Sequence, residues 1–96
     1  SSDGMEDEEE SILKVDWEGN RRWYDKKGAY HRLDGPAIIH SDGDIWWCNH
    51  GKFHREDGPA RIWAVRGIED WWKDGEPYEP SAHELMVWKM KMKKKE

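Results

Sequence analysis

Two copies of one motif contain the residues best suited to chemistry in this sequence. The first copy is HRLDGPA, residues 31–37, and the second is HREDGPA, residues 54–60, which match at six of seven positions. In each copy a histidine precedes an aspartate by three residues, as His31 with Asp34 and His54 with Asp57. A histidine oriented by an aspartate can act as a base or a ligand, so a small-ligand or metal site is one hypothesis.

A structural role for the same side chains is the alternative. Histidine and aspartate can hydrogen-bond the backbone of a turn, while Arg32 and Arg55 reach a carboxylate or stack on an indole. Duplication favours this interpretation, because a structural device recurs with every repeat whereas an active site needs to occur once. Ser41 and Ser81 are interpreted as a turn residue and a helix cap, and no phosphate-binding glycine loop opens a helix. We therefore expect a protein that is not an enzyme.

A metal site would draw on one cysteine and four histidines, namely Cys48, His50, His40, His31 and His54. Cys48 and His50 would lie on one face of a strand. Structural zinc sites usually show tighter paired spacings such as C-x₂₋₄-C, which this sequence lacks. We expect no metal and no other cofactor, and we interpret Cys48 as a small, half-buried apolar residue.

The motifs belong to a repeat of 23 to 24 residues, which outranks local patterns. An aromatic pair and a glycine precede each motif, and a shift of 23 aligns Trp23-Tyr24 with Trp46-Trp47 and Gly28 with Gly51. Glycines at 19, 43 and 67 each separate two β-favouring runs, as in β-hairpins. The sequence predicts a mostly β fold, an antiparallel meander of three hairpin repeats over residues 12–25, 37–48 and 60–73. Segments 28–36 and 51–59 would connect the hairpins.

The C-terminal residues have a helical pattern. Ser81 and Glu84 form a capping box ahead of good helix formers, which predicts a helix over residues 82–94. Such a helix would cover the exposed end of a repeat sheet. We expect one repeat domain over residues 11–96. Residues 1–4 precede Met5 and are interpreted as a tag remnant, and the acidic residues that follow, up to residue 10, as a disordered lead-in.

Composition limits the classes of partner. The 96 residues have a formal net charge of −5 and include eight Trp, three Tyr and one Phe, so indoles must supply much of the core. An acidic chain gives no reason to expect duplex DNA. No apolar run approaches the ~18 residues that a membrane span needs. A single cysteine excludes an intrachain disulfide and indicates a cytoplasmic protein.

Three aromatic doublets and two arginines are the predicted binding residues: Trp23, Tyr24, Trp46, Trp47, Trp71, Trp72, Arg32 and Arg55. Neighbours on a strand point to opposite faces, so one sheet face must have a row of aromatics. Either the helix and the motif loops cover that row or it forms a partly exposed platform, which we favour. A protein partner fits such a platform best. Single-stranded nucleic acid, carbohydrate and self-association through a free sheet edge are the alternatives.

The paired motifs, each preceded by aromatics and a glycine, resemble a repeat family seen mainly in uncharacterised proteins of bacteriophages and large DNA viruses. The hairpin spacing over about residues 19–78 also resembles MORN-type repeats, which stack glycine–aromatic hairpins into an elongated antiparallel meander. The resemblance implies a meander fold, a viral context and no established catalytic residues. By analogy with small phage proteins, it implies a host cytoplasmic protein as partner.

Overall fold

The computed structural model describes residues 11–94 of the chain. The predicted tag remnant and acidic lead-in lie outside the described residues, as do residues 95 and 96. Within residues 11–94, ten short strands precede one helix, α1 (Ala82–Lys94). In chain order the strands are β1 (Ile12–Val15), β2 (Arg21–Tyr24), β3 (Ile38–Ile39), β4 (Ile45–Trp46), β5 (Cys48–Asn49), β6 (Lys52–Phe53), β7 (Arg61–Trp63), β8 (Ile68–Asp70), β9 (Trp72–Lys73) and β10 (Glu76–Pro77).

The main sheet has six antiparallel strands in the order β1-β2-β3-β4-β7-β8. Its hairpins are closed by short loops in which a glycine adopts a positive φ. Gly19 (φ 92°) donates to the carbonyl of Asp16, and Gly43 (φ 103°) donates to that of His40. Only glycine takes up this conformation without a steric cost, which explains the regular glycine spacing. The predicted mostly β meander with a C-terminal helix is confirmed.

Two smaller hairpins, β5–β6 and β9–β10, lie beside the main sheet, in segments where the sequence analysis placed hairpin ends and connections. Their turns are His50-Gly51 (φ 47° and 86°) and Asp74-Gly75 (φ 52° and 83°), and a two-residue turn with φ > 0 at both positions matches the twist of a hairpin. In the first repeat, Tyr24 and Tyr30 form an isolated antiparallel bridge in place of a short hairpin. The sheet part of the second predicted hairpin therefore ends at Trp46 rather than at residue 48.

Backbone hydrogen bonds join the short hairpin segments of consecutive repeats. Gly51 donates to the carbonyl of Tyr30 at 2.7 Å, and Gly75 donates to that of Phe53 at 2.9 Å. The repeat thus stacks in two parallel columns, one of long hairpins and one of short ones. Each unit mainly contacts its neighbours, which is the usual arrangement in repeat proteins.

Backbone hydrogen bonds also correct the alignment of the aromatic doublets. The carbonyls of Trp23, Trp47 and Trp71 accept from the backbone N–H of His31, His54 and Tyr78, which lie eight, seven and seven positions further on. Trp23 is therefore equivalent to Trp47, at a spacing of 24, and not to Trp46. The turn between Tyr24 and Tyr30 is one residue longer than the turn between Cys48 and Phe53. A shift of 23 therefore aligns the motifs, whereas the aromatics need a shift of 24.

Helix α1 covers one end of the repeat stack. Its predicted capping box is present, since Ser81 N donates to Glu84 Oε1 at 2.8 Å and Glu84 N donates to Ser81 Oγ at 3.1 Å. Trp88 is buried against Gly58, and its indole N–H donates to Glu69 on β8 at 3.3 Å. Among the described residues no helix is long and apolar enough to cross a membrane.

Candidate functional site

The arginine of each motif stacks on an indole and donates hydrogen bonds within its own loop. Arg32 stacks on the Trp23 ring at 3.9 Å, and its Nε donates to Asp34 while its Nη1 donates to the Pro36 carbonyl. Arg55 makes the equivalent contacts with Trp47 at 4.0 Å, with Asp57 and with the Pro59 carbonyl.

The glycine of each motif leaves room for this arginine. A Cβ on Gly35 would lie 2.8 Å from Arg32 Cζ, and one on Gly58 would lie 3.1 Å from Arg55 Cζ. Motif residues two, four, five and six therefore form one structural unit around the guanidinium.

The histidine of each motif binds the next repeat. His31 Nδ1 accepts from the backbone N–H of His50 at 3.0 Å, and His54 Nδ1 accepts from that of Asp74 at 3.0 Å. His50 and Asp74 are the first residues of the two short turns, so each histidine fixes the turn that follows it. This geometry is the one that the structural hypothesis describes for the histidines.

His31 lies in a small cluster of titratable groups. Its buried ring stacks on His50 at 3.8 Å, and His50 Nδ1 contacts Asp25 Oδ2 at 2.8 Å. Burial lowers the pKa of His31, and the neighbouring His50 lowers it further. The hydrogen bond from His50 and those from the Ala29 and Lys27 amides hold the pKa of Asp25 below its usual value. Because Nδ1 of His31 accepts the His50 N–H, the hydrogen-bond geometry places the ring proton on Nε2.

The aspartate of each motif pairs with arginine and not with the motif histidine. Asp34 is largely exposed, and Asp57 also accepts from Lys91 of α1 at 3.2 Å. Although burial acts to raise it, the bonds from Lys91 and Arg55 hold the pKa of Asp57 below its usual value. In neither motif does the histidine pair with the aspartate three residues further on, which is the pair that the catalytic hypothesis invoked.

Potential metal ligands are dispersed. Among residues 11–94 no three His, Cys, Asp or Glu side chains are grouped as a metal site would require. Cys48 is buried, and burial raises its pKa to about 11, so it remains a thiol.

The six doublet aromatics divide between the two faces of the sheet. Trp23 and Trp47 stack under their arginines on one face, where Trp71 lies against Tyr78. The other member of each doublet, which is Tyr24, Trp46 or Trp72, points to the opposite face. None of the six is highly exposed, and Trp71 is only 9% exposed.

Arg61 is the centre of an aromatic cluster that the sequence analysis did not single out. Its guanidinium lies 4.9–5.5 Å from the rings of Phe53, Trp63 and Trp72. Asp70 accepts from Arg61 at 2.9 Å and from the Trp63 indole at 3.1 Å. The period-2 pattern of β7, in which residues 61 and 63 share a face, was a usable signal for this cluster.

A cleft of about 550 Å³ separates the two motif loops. It is lined by Arg32, Leu33, Asp34, Trp47, Asn49, His54, Arg55, Glu56 and Asp57. Trp47 and both arginines are predicted binding residues, whereas Trp23 lines a smaller neighbouring hollow with Arg32, and Trp71 and Trp72 line a separate one. Leu33 is 52% exposed beside three carboxylates, so the cleft combines apolar surface with an acidic rim.

Comparisons of this chain with protein-family models, with curated proteins and with solved structures gave no match.

Proposed function

We propose that this chain is a non-enzymatic protein-binding module, and that its partner docks in the cleft between the two motif loops. The observation that supports this most directly is the composition of the cleft. An indole, two stacked guanidiniums and an exposed leucine are surrounded by Asp34, Glu56 and Asp57. Protein interfaces commonly combine an aromatic and arginine centre with a polar rim.

The side chains that could take part in acid–base chemistry support binding rather than catalysis. His54 accepts from the Asp74 amide through Nδ1, and its Nε2 contacts Glu56 at 2.7 Å. Arg55 is stacked and paired, and burial lowers its pKa. Groups already engaged with the backbone and with one another serve to hold a surface rather than to move protons.

The rim indicates the chemistry of the partner. Three carboxylates outnumber the two arginines, and each arginine is already paired with an aspartate. A protein segment with apolar side chains flanked by lysine or arginine would complement this surface. In keeping with the resemblance to phage and viral repeat proteins, we propose that the partner is a protein of the host cytoplasm.

A pulldown with matched variants tests this proposal. The tagged protein is incubated with host lysate at low and moderate salt, and the retained material is identified by mass spectrometry and nucleic-acid staining. We expect one salt-resistant protein at near-equal amount. Leu33→Asp should weaken its affinity roughly tenfold or more, because it places charge in the apolar part of the interface.

Val65→Asp is the control, since Val65 is 80% exposed in the loop between β7 and β8 and does not line the cleft. Equal retention by both variants would contradict the proposal. Retention of salt-labile nucleic acid alone would contradict it as well.

A further inference from the structure

Strand β1 is the first strand of the sheet order and has β2 as its one neighbour among residues 11–94. All four of its residues are exposed, including Ile12 (51%), Leu13 (47%) and Val15 (57%). An edge strand with apolar side chains on both faces is a template for pairing with another strand.

The outward-facing backbone groups of β1 follow from the hydrogen bonds of β2. Trp23 donates to the Ala37 carbonyl and accepts from His31, so both of its backbone groups point away from β1. Leu13 is opposite Trp23, and in an antiparallel pair its N–H and C=O therefore point to the free edge. Val15, two residues on, has the same orientation.

The loop after β1 holds a further backbone donor, the N–H of Trp17. At the first loop position, the Ser41 amide donates to Asn20 Oδ1 and the Ala64 amide donates to Asp44 Oδ1, both at 2.7 Å. These bonds join each long hairpin to the one before it. Trp17 has the same loop position, but no acceptor for its N–H occurs among the described residues, and its side chain is 92% exposed.

We propose that β1 pairs antiparallel with β1 of a second copy of this chain, about a two-fold axis through Val15. This register places Lys14 of each copy opposite Asp16 of the other. Centring the axis on Lys14 instead would oppose the two lysines, and like charges directly opposite one another are destabilising. A two-fold interface must be self-complementary, and the order Lys14, Val15, Asp16 has this property.

The same register supplies the acceptor that Trp17 lacks. Trp17 of one copy comes opposite Leu13 of the other, where its N–H faces an outward-pointing carbonyl. Leu13 shares a face with Trp23, so the exposed indole joins the apolar row of the second copy.

The second motif shows how an added indole is accommodated on this face. Arg55 is placed between Trp47 at 4.0 Å and Trp88 at 4.7 Å, whereas Arg32 stacks on Trp23 at 3.9 Å without a second indole among the described residues. Trp17 of the second copy would approach the first motif. It would lie on the sheet face that Trp88 covers at the second motif.

Sedimentation equilibrium of the full chain tests the dimer. We expect a concentration-dependent mass that approaches twice the monomer mass of 11.5 kDa. Val15→Lys puts two like charges on the axis and should raise the dimer dissociation constant by roughly tenfold or more. Val65→Lys makes the same change at another exposed valine and should leave it unaltered. A monomer at every concentration would overturn the proposal. Loss of a lysate partner in Val15→Lys, with a monomeric parent, would assign the edge to that partner instead.

Cross-linking tests the register. With Cys48 buried, Val15→Cys should form an intermolecular disulfide under mild oxidation, because the two Cα atoms on the axis lie within about 4.4–6.8 Å. Leu13→Cys is the control, since the two copies of that residue would be about 14 Å apart along the strands. Cross-linking of Leu13→Cys in preference to Val15→Cys would overturn the register. Near-ultraviolet circular dichroism confirms that both variants are folded.

Discussion

At the scale of single residues, the motif histidines are inter-repeat hydrogen-bond acceptors. His31 and His54 accept from equivalent turn amides one repeat further along the chain. The third unit has Tyr78 at the equivalent position, and its hydroxyl donates to Glu84 of the helix cap. The histidine is thus present where another hairpin follows, and it is replaced where the helix follows.

Replacing His31 with Ala should lower the free energy of unfolding by about 2–4 kcal/mol, because it leaves the His50 amide without an acceptor and creates a cavity. His31→Asn should recover part of this loss, since an asparagine Oδ1 can accept the same N–H. Urea unfolding followed by circular dichroism measures both changes. The control is His83→Ala on the exposed side of α1, which should change stability by less than about 0.5 kcal/mol. If Ala and Asn prove equally destabilising, His31 acts through packing alone.

At the scale of elements, α1 distinguishes the two otherwise similar motif loops. A Cβ on Gly58 would lie 2.9 Å from two carbon atoms of the Trp88 ring, whereas a Cβ on Gly35 would meet only the end of the Arg32 side chain. A flexible side-chain end can move aside, but a buried indole packed against the sheet cannot. The same substitution in the two loops therefore measures how firmly the helix is docked.

Gly58→Ala should lower the free energy of unfolding by about 1–3 kcal/mol, the usual cost of overpacking, and should displace α1. Gly35→Ala should cost less, because only the Arg32 stack on Trp23 has to adjust. Thermal unfolding compares the two variants, and the NMR resonance of the Trp88 indole N–H reports the docking of the helix. Equal losses in the two variants would show that Trp88 does not constrain Gly58.

The elements also show what the sequence could and could not predict. Glycine spacing and the capping box were sufficient for the long hairpins and the helix, because both signals are local. The short hairpins were missed, since their turns begin with His50 and Asp74, and non-glycine residues with positive φ are uncommon. The Asn20–Ser41 and His31–His50 bonds connect residues about one repeat apart, so no local pattern predicts them. The contact of Trp88 with Arg55 depends on where the helix docks, which is a tertiary property.

At the scale of the whole molecule, the sheet is held unevenly along the direction of the repeat. Two hydrogen bonds from a loop amide to a side chain of the preceding hairpin, which we call clamps, hold the middle hairpin on both sides. Ser41 donates to Asn20 before it, and Ala64 donates to Asp44 after it. The last hairpin is covered by α1 through the contact of Trp88 with Glu69. Among residues 11–94, the first hairpin has such a hydrogen bond on one side only, and its outer strand is exposed.

This asymmetry predicts that the molecule opens from its first strand. Backbone amides between β1 and β2, such as the Lys14–Arg22 pair, should exchange with solvent roughly tenfold or more faster than the Ile45–Ile62 pair between β4 and β7. Native-state hydrogen exchange by NMR, at a protein concentration too low for self-association, measures both pairs in one sample. Removing the clamp with Asn20→Ala should speed exchange in the first hairpin and leave the Ile45–Ile62 pair nearly unchanged. Equal rates for the two pairs, before and after that substitution, would show instead that the repeats unfold as one cooperative unit.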